Sequence, residues 1–178
     1  MKRLWTILAI LALTTAHALA ADFFVRYSVQ GCEDYELLTG DSCLVTVTVY
    51  SDLPFSDVEC TKEPHFKGAA SVRTLRQYRE KTQQRQMVEG RVYYAVRLSQ
   101  VVVAAPEKKG EIVMKGGSYK AQFLVYDEEP DFFDEFFGRQ PKHHYEKGTA
   151  KGEDLKIKII APPPVTTQEL LKRGGNIM

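Results

Sequence analysis

The sequence has almost no net charge. Its 178 residues contain 24 Lys and Arg against 23 Asp and Glu, a formal excess of one positive charge. Domains that bind nucleic acid normally concentrate a basic excess on one face. The charge balance therefore gives no support to nucleic-acid binding as the main role.

A long apolar run that could span a membrane is lacking as well. The apolar residues 4–13 form a stretch shorter than the roughly 20 residues that a spanning helix needs. That stretch follows Lys2 and Arg3 and precedes small residues that end at Ala20, so the start has the three parts of a secretory signal peptide. We expect cleavage after Ala20, which removes residues 1–20 with two basic and no acidic side chains. The mature chain is then periplasmic or secreted, has a net charge of −1 and contains no transmembrane segment.

Cysteine is scarce, with three residues at Cys32, Cys43 and Cys60. An odd number leaves at least one unpaired, in a compartment that permits disulfides. No two have Cys-x-x-Cys spacing, and zinc would need a fourth ligand from elsewhere, so we predict a structural disulfide. Cys32 and Cys43 flank a turn-rich stretch between two predicted strands, and a bridge over a loop of that size contributes about 3 kcal/mol. Pairing of Cys43 with Cys60 stays open.

Motifs for catalysis or cofactor binding are absent from the sequence. Its Ser residues lie in no Gly-x-Ser-x-Gly elbow, and its paired glycines lack the spacing of phosphate or dinucleotide fingerprints. His143 and His144 are predicted to be solvated loop residues, because neighbours in an extended segment point to opposite sides and rarely chelate one ion. The acidic residues among 128–135 lack the spacing of an EF-hand loop. We therefore expect no enzymatic activity, no cofactor and no metal site.

Helical periodicity has little support, and alternation of apolar with polar residues is the main structural signal. Val45, Val47 and Val49 alternate with polar or outward-facing neighbours, and the same pattern recurs with turn residues between the runs. The predicted strands are residues 23–29, 44–50, 55–59, 91–98, 112–115, 119–125 and 155–159. Their number and spacing predict an all-β fold, an immunoglobulin-like antiparallel β-sandwich of about seven strands over residues 21–161.

Glycine and proline mark the segments between these strands. Gly116-Gly117-Ser118 is predicted to be the turn of a hairpin. Residues 71–89, which are polar and basic, are predicted to be a long solvated hairpin or loop, with a short surface helix as the alternative. Residues 127–145 make a connection too long for an ordinary hairpin loop. Residues 162–178 begin with three prolines and are predicted to be a semi-rigid spacer and a short tail.

The segment from Asp127 to Gly138 places four Phe among six carboxylates in a predicted loop. One interpretation is that the aromatic rings cover an open end of the sandwich. The other is an acidic, aromatic docking segment that becomes ordered on contact with another protein. The candidate partner-binding residues are Asp131, Phe132, Phe133, Asp134, Glu135, Phe136 and Phe137.

Four short motifs follow one another along the chain. Residues 90–98 read GRVYYAVRL, residues 106–112 read PEKKGEI, residues 116–121 read GGSYKA and residues 132–138 read FFDEFFG. Their succession resembles the amino-terminal domain of the BatD family, the oxygen-tolerance or aerotolerance proteins, in its Bacteroidetes type. The resemblance implies an immunoglobulin-like domain in a cell-envelope system that includes von Willebrand factor A domain proteins and MoxR-type ATPases. It carries over no catalytic residue.

Binding to other envelope proteins is accordingly the function that the sequence favours. The alternative is a β-sandwich that binds a glycan or a small ligand, in which Tyr93, Tyr94 and Tyr119 supply stacking surfaces. Tyrosines on sandwich strands are more often core residues or cross-strand pairs. A hydrolase would need a base beside Cys60 or a serine, and nothing in the sequence signals one.

Overall fold

The structure is a computed structural model that describes residues 21–78, 82–127 and 142–163. The expected signal peptide, most of the Pro-rich tail and the seven partner-binding candidates lie outside the described residues. Over the described part of the chain the backbone forms strands and no helix. The twelve strands are β1 (Phe23–Gln30), β2 (Glu36–Leu38), β3 (Ser42–Ser51), β4 (Phe55–Lys62), β5 (His65–Lys67), β6 (Ser71–Gln77), β7 (Gln84–Val88), β8 (Arg91–Ala104), β9 (Gly110–Lys115), β10 (Ser118–Tyr126), β11 (His143–Lys151) and β12 (Leu155–Ile160).

The first layer of the molecule is a five-stranded antiparallel sheet. Its order is β1-β3-β8, and the long strand β8 carries two short strands on its free edge. β6 pairs with the second half of β8 and β7 pairs with the first half. Alternation along β3 turns Val45, Val47 and Val49 inward, where each is essentially inaccessible to solvent.

The second layer consists of a three-stranded sheet, β11-β10-β4, and a four-stranded sheet, β2-β12-β9-β5. Three strands of one sheet are continued by three strands of the other, because the chain passes directly from β4 to β5, from β9 to β10 and from β11 to β12. The order β11-β10-β4 therefore corresponds to the order β12-β9-β5. All pairings are antiparallel except that of the short β2 with β12. The prediction of an all-β antiparallel sandwich is therefore confirmed.

Two hydrophobic clusters fill the space between the layers. One lies between the first layer and the three-stranded sheet, and its buried residues include Val49, Val96, Tyr119 and Phe123. The other lies between the first layer and the four-stranded sheet, and it includes Leu37, Val45, Val103, Ile112 and Ile157. Burial of such side chains contributes about 1.5–3 kcal/mol each, so the alternating pattern is what holds the two layers together.

The hairpin predicted at Gly116-Gly117-Ser118 is wrong. β9 and β10 flank these residues but belong to different sheets and do not pair with each other. At this crossing a Cβ on Gly116 would overlap the carbonyl of Gly152, and a Cβ on Gly152 would overlap the hydroxyl of Tyr27. The glycines are needed for close approach between backbone segments rather than for a turn. We call this crossing, formed by Tyr27, Gly116, Gly117 and Gly152, the glycine joint.

The described residues within 71–89 contain strands β6 and β7, where a long solvated hairpin or loop was predicted. Both strands pair with β8 rather than with each other. The predicted connection over residues 127–145 is shorter than expected, since β11 begins at His143. The described residues contain twelve strands where about seven were predicted, and the five that were not predicted are β2, β5, β6, β7 and β11. Among the described residues, no helix has the length and apolar character required to cross a membrane.

Candidate functional site

The structure describes the residues on either side of the connection that contains the predicted docking segment. β10 and β11 form a ladder that ends with Tyr126 opposite His143. One step further, the backbone N–H of Asp127 donates a hydrogen bond of 2.9 Å to the carbonyl of Lys142. Asp127 and Lys142, the described residues on either side of residues 128–141, therefore lie next to each other at the end of the β10–β11 ladder.

Exposed aromatic rings surround this point. The ring centroids of Tyr126 and His143 are 6.3 Å apart, and those of His143 and Tyr145 are 5.6 Å apart. Tyr126 and Tyr145 are 49% and 50% exposed. We call Tyr126, His143 and Tyr145 the aromatic base. Apolar ring area that stays in water next to a Phe-rich segment is available for contact with another molecule.

His144 projects to the other side of β11 and contacts carboxylates. Its Nδ1 lies 2.5 Å from a carboxylate oxygen of Asp127, and its Nε2 lies 3.6 Å from Glu146. The hydrogen bond to Asp127 is the main cause that raises the pKa of His144 above its ordinary value, with a smaller contribution from Glu146. His143 and His144 are exposed as predicted, although they lie on a strand rather than in a loop. No cluster of potential metal ligands occurs in the part of the chain that the structure describes.

An open cleft of about 510 Å³ lies on the same three-stranded sheet, further along the strands. Its polar lining comes from β4, β10 and β11 and comprises Asp57, Glu59, Lys120, Gln122, Lys147 and Thr149. Two carboxylates and two ammonium groups give this cleft no net charge. Tyr145, Lys147 and Thr149 alternate on one face of β11, so the aromatic base and the cleft are parts of one exposed surface.

A smaller pocket of about 180 Å³ lies on the outer face of the first layer. Its lining residues come from β3, β7 and β8 and from the segment that follows β6, and they are Thr48, Tyr78, Thr82, Gln84, Gln86, Ala95 and Arg97. No residue of this set was a candidate from sequence. These residues come from four separate segments of the chain, which only the pairing of the strands brings together.

The three cysteines are free thiols in the structure. The β1–β3 ladder ends with Gln30 opposite Leu44, so Cys32 and Cys43 lie near the same end of these strands. Burial, and then the proximity of Cys32, raises the pKa of Cys43 to about 11. Burial also raises the pKa of Cys32 and of the more exposed Cys60, which lies on β4 opposite Tyr119. A nucleophilic cysteine has a lowered pKa instead, and the disulfide stays a prediction.

The tyrosines proposed as sugar-stacking surfaces offer little ring area. Tyr119 is buried in the core, beside Tyr27 and Cys60. Tyr93 is buried as well, and its hydroxyl donates a 2.8 Å hydrogen bond to Asp22. Tyr94 is half-buried beneath the guanidinium of Arg85. A sugar ring therefore cannot stack on this set of side chains, and any glycan site must lie elsewhere.

Comparisons with known proteins found no match, so the functional proposal is based on the sequence, the fold and the side-chain geometry. No protein-family model, no curated protein and no solved structure matches the chain.

Proposed function

We propose that this protein is a non-enzymatic, exported interaction module of the bacterial cell envelope. It binds another envelope protein through the segment that contains Asp131, Phe132, Phe133, Asp134, Glu135, Phe136 and Phe137. The observation that carries this proposal is the exposed aromatic base at the end of the β10–β11 ladder, where Asp127 and Lys142, the described residues on either side of the segment, meet.

Both the composition of the segment and the exposed surface beside its flanking residues support binding to a protein. Aromatic side chains dominate the energetics of protein interfaces, and a few of them commonly supply most of the binding energy. The carboxylates between the Phe residues favour a partner with a basic surface, because charge complementarity speeds association and excludes like-charged partners. The aromatic base and the adjoining cleft extend the available surface along β10 and β11. A partner can thus contact the segment and the sheet beside it.

The BatD resemblance supplies the candidate partners. It supports an immunoglobulin-like domain that acts with von Willebrand factor A domain proteins and a MoxR-type ATPase, in a system linked to aerotolerance. The protein takes no part in catalysis under this proposal and contributes only a binding surface. Its periplasmic or secreted location follows from the proposed cleavage after Ala20.

Affinity capture from the source cell envelope tests the proposal. The bait is the epitope-tagged mature chain, compared with a variant in which Phe132, Phe133, Phe136 and Phe137 are all changed to Ser. Recovery of the partner, quantified by mass spectrometry, should fall at least about tenfold, since loss of two or more aromatic hot spots exceeds 1.4 kcal/mol. Circular dichroism verifies that the variant retains its sheet.

The matched control changes four apolar side chains that are exposed on β6 and around the β7–β8 turn: Val72, Leu75, Met87 and Val92. This second variant also loses four large apolar side chains and should recover the partner as well as the wild type does. Equal recovery by the folded Phe variant and the wild type would contradict the role of the segment.

A further inference from the structure

The small pocket on the first layer, which we call the Arg97 pocket, has an ordered aromatic wall. The backbone N–H of Tyr78 donates a hydrogen bond of 3.0 Å to the carbonyl of Leu98. The hydroxyl of Tyr78 donates to Gln100 Oε1 at 3.1 Å, and Gln100 Nε2 donates to Thr46 Oγ1 at 3.3 Å. This chain of hydrogen bonds fixes the ring of Tyr78, so the wall is in place before any ligand arrives.

Two guanidinium groups converge on that ring. The guanidinium carbon of Arg76 lies 5.1 Å from the centroid of Tyr78, and that of Arg97 lies 5.7 Å from it. Nη1 of Arg97 is also 3.5 Å from the hydroxyl oxygen of Tyr78. Cation–π contacts of this kind hold the guanidinium groups on the sheet surface without neutralising their charge.

The described lining of the pocket has a positive charge. Among the residues that the structure describes, the lining contains Arg97 and no Asp or Glu. Within residues 21–78, 82–127 and 142–163, neither Arg76 nor Arg97 forms an ion pair with a carboxylate. A guanidinium has five donors in a planar fork that fits a carboxylate with two parallel hydrogen bonds. The pocket therefore suits an anionic group of that shape.

Neutral polar groups make up the remaining wall. Gln84 and Gln86 supply carboxamides, Thr48 and Thr82 supply hydroxyls, and each can both donate and accept. The hydroxyl of Tyr50 donates to Gln86 Oε1 at 3.3 Å, which leaves the amide hydrogens of Gln86 for a ligand.

Shape limits the size of the ligand. Ala95, which is 3% exposed, forms the floor, and its small side chain leaves a depression between larger neighbours. The volume of about 180 Å³ lies below the roughly 300–1,000 Å³ of pockets for drug-sized ligands. One sugar ring fits a space of that order, and the sheet surface around it is open to the rest of a chain.

We propose that the Arg97 pocket binds a carboxylate-bearing sugar, a hexuronic acid residue of an acidic polysaccharide. Arg97 pairs with the sugar carboxylate, and Arg76 adds positive potential beside it. Gln84, Gln86 and Thr48 form hydrogen bonds with the ring hydroxyls. An acidic peptide fits less well, because the array of carboxamides and hydroxyls matches several neighbouring hydroxyls rather than a peptide backbone. The site is on the layer opposite the proposed protein-binding segment and does not depend on it.

Calorimetric titration of the mature chain with trigalacturonate tests the proposal. Maltotriose replaces it as a neutral sugar of the same length, and a tri-glutamate peptide as an acidic ligand without sugar hydroxyls. We expect binding of trigalacturonate that is at least tenfold tighter than binding of either comparison ligand. Arg97→Gln should weaken that binding at least tenfold, and Gln84→Ala, at an exposed position, should weaken it severalfold.

The matched control is Arg91→Gln, which removes an arginine from the same strand but outside the Arg97 pocket. It should bind trigalacturonate as the wild type does. Nuclear magnetic resonance adds a positional readout, since the Ala95 methyl and the Gln84 and Gln86 amide signals should shift on addition of the sugar. Absence of binding by the folded wild type, equal weakening by Arg91→Gln and Arg97→Gln, or equal affinity for tri-glutamate would each overturn the proposal.

Discussion

His144 lies between two carboxylates at the start of β11, next to the point where the proposed docking segment begins. The hydrogen bond to Asp127 raises its pKa above the ordinary value of about 6.5. The folded state therefore holds this proton more tightly than the unfolded state does. The resulting stabilisation is fully present below the unfolded pKa and is lost as the pH rises through the raised folded pKa.

Asp127→Asn should bring the pKa of His144 back toward its ordinary value, because it removes the largest cause of the shift. Glu146→Gln should lower it less, since Glu146 lies 3.6 Å away and contributes less. Titration of the His144 ring protons by nuclear magnetic resonance measures both effects. Asp34→Asn, at a distant exposed position, is the control. A pKa that does not change in Asp127→Asn would contradict the assigned contact.

At the same scale, the residues of the Arg97 pocket show why the sequence could not predict that site. Thr48, Gln84 and Arg97 are ordinary polar residues at alternating strand positions, and each alone is typical of a solvated sheet face. Only the pairing of β3 and β7 with β8 brings them together. The cysteines and the Phe-rich segment are recognisable from composition, whereas a pocket made by strand pairing is not.

Strands were predicted where one face is apolar and missed where it is not. β3 and β10 alternate clearly and were found. All seven residues of β6 are exposed, so no burial pattern marks it. β11 turns Gly148 and Ala150 toward the core, and a Cβ on Gly148 would lie 2.8 Å from the ring of Phe123. The ring of Phe123 leaves room only for a small residue at this position. Because small residues carry little hydrophobicity, the sequence of β11 lacks the alternating apolar pattern that predicts a strand.

The residues allowed at the glycine joint also depend on neighbours that are distant in sequence. This dependence gives a prediction about stability. Gly152→Ala would bring a methyl group against the hydroxyl of Tyr27, which itself accepts a 2.8 Å hydrogen bond from the N–H of Gly117. We expect the free energy of unfolding to fall by about 1–3 kcal/mol, as for other cases of overpacking. Urea denaturation monitored by circular dichroism measures the change.

Gly110→Ala is the matched control for this prediction. A Cβ on Gly110, which lies at the start of β9 in the second layer, would meet nothing within 4 Å. Its effect should stay within about 0.5 kcal/mol. In a Tyr27→Phe background, Gly152→Ala should lower the free energy of unfolding by a smaller amount, because the hydroxyl that the new methyl group would overlap is absent. Equal destabilisation by Gly110→Ala and Gly152→Ala would show that close approach is not what the joint requires.

For the whole molecule, the sandwich divides its surfaces between the two layers. The three-stranded sheet presents the aromatic base, while the first layer presents the Arg97 pocket on its outer face. An envelope protein that binds a polysaccharide on one side and a protein on the other would link the two. The two surfaces can be changed separately, because they share no strand.

The proposed export and the cysteines together give a prediction for the molecule as a whole. Cys32 and Cys43 lie near the same end of β1 and β3, and Cys60 lies on a different sheet. We expect the chain purified from an oxidising periplasm to lack two thiol hydrogens by intact mass and to contain a Cys32–Cys43 bridge. A loop of this size contributes about 3 kcal/mol, which raises Tm by roughly 6–12 °C for a chain of about 150 residues.

Alkylation, mass spectrometry and calorimetry decide whether this bridge forms. Cys60→Ser should retain the mass difference and the higher Tm, because Cys60 takes no part in the bridge. Cys43→Ser should abolish both, leaving the periplasmic chain with the Tm of the reduced protein. If instead Cys60→Ser removed the mass difference, Cys60 would be part of the bridge, and the predicted Cys32–Cys43 pairing would be wrong.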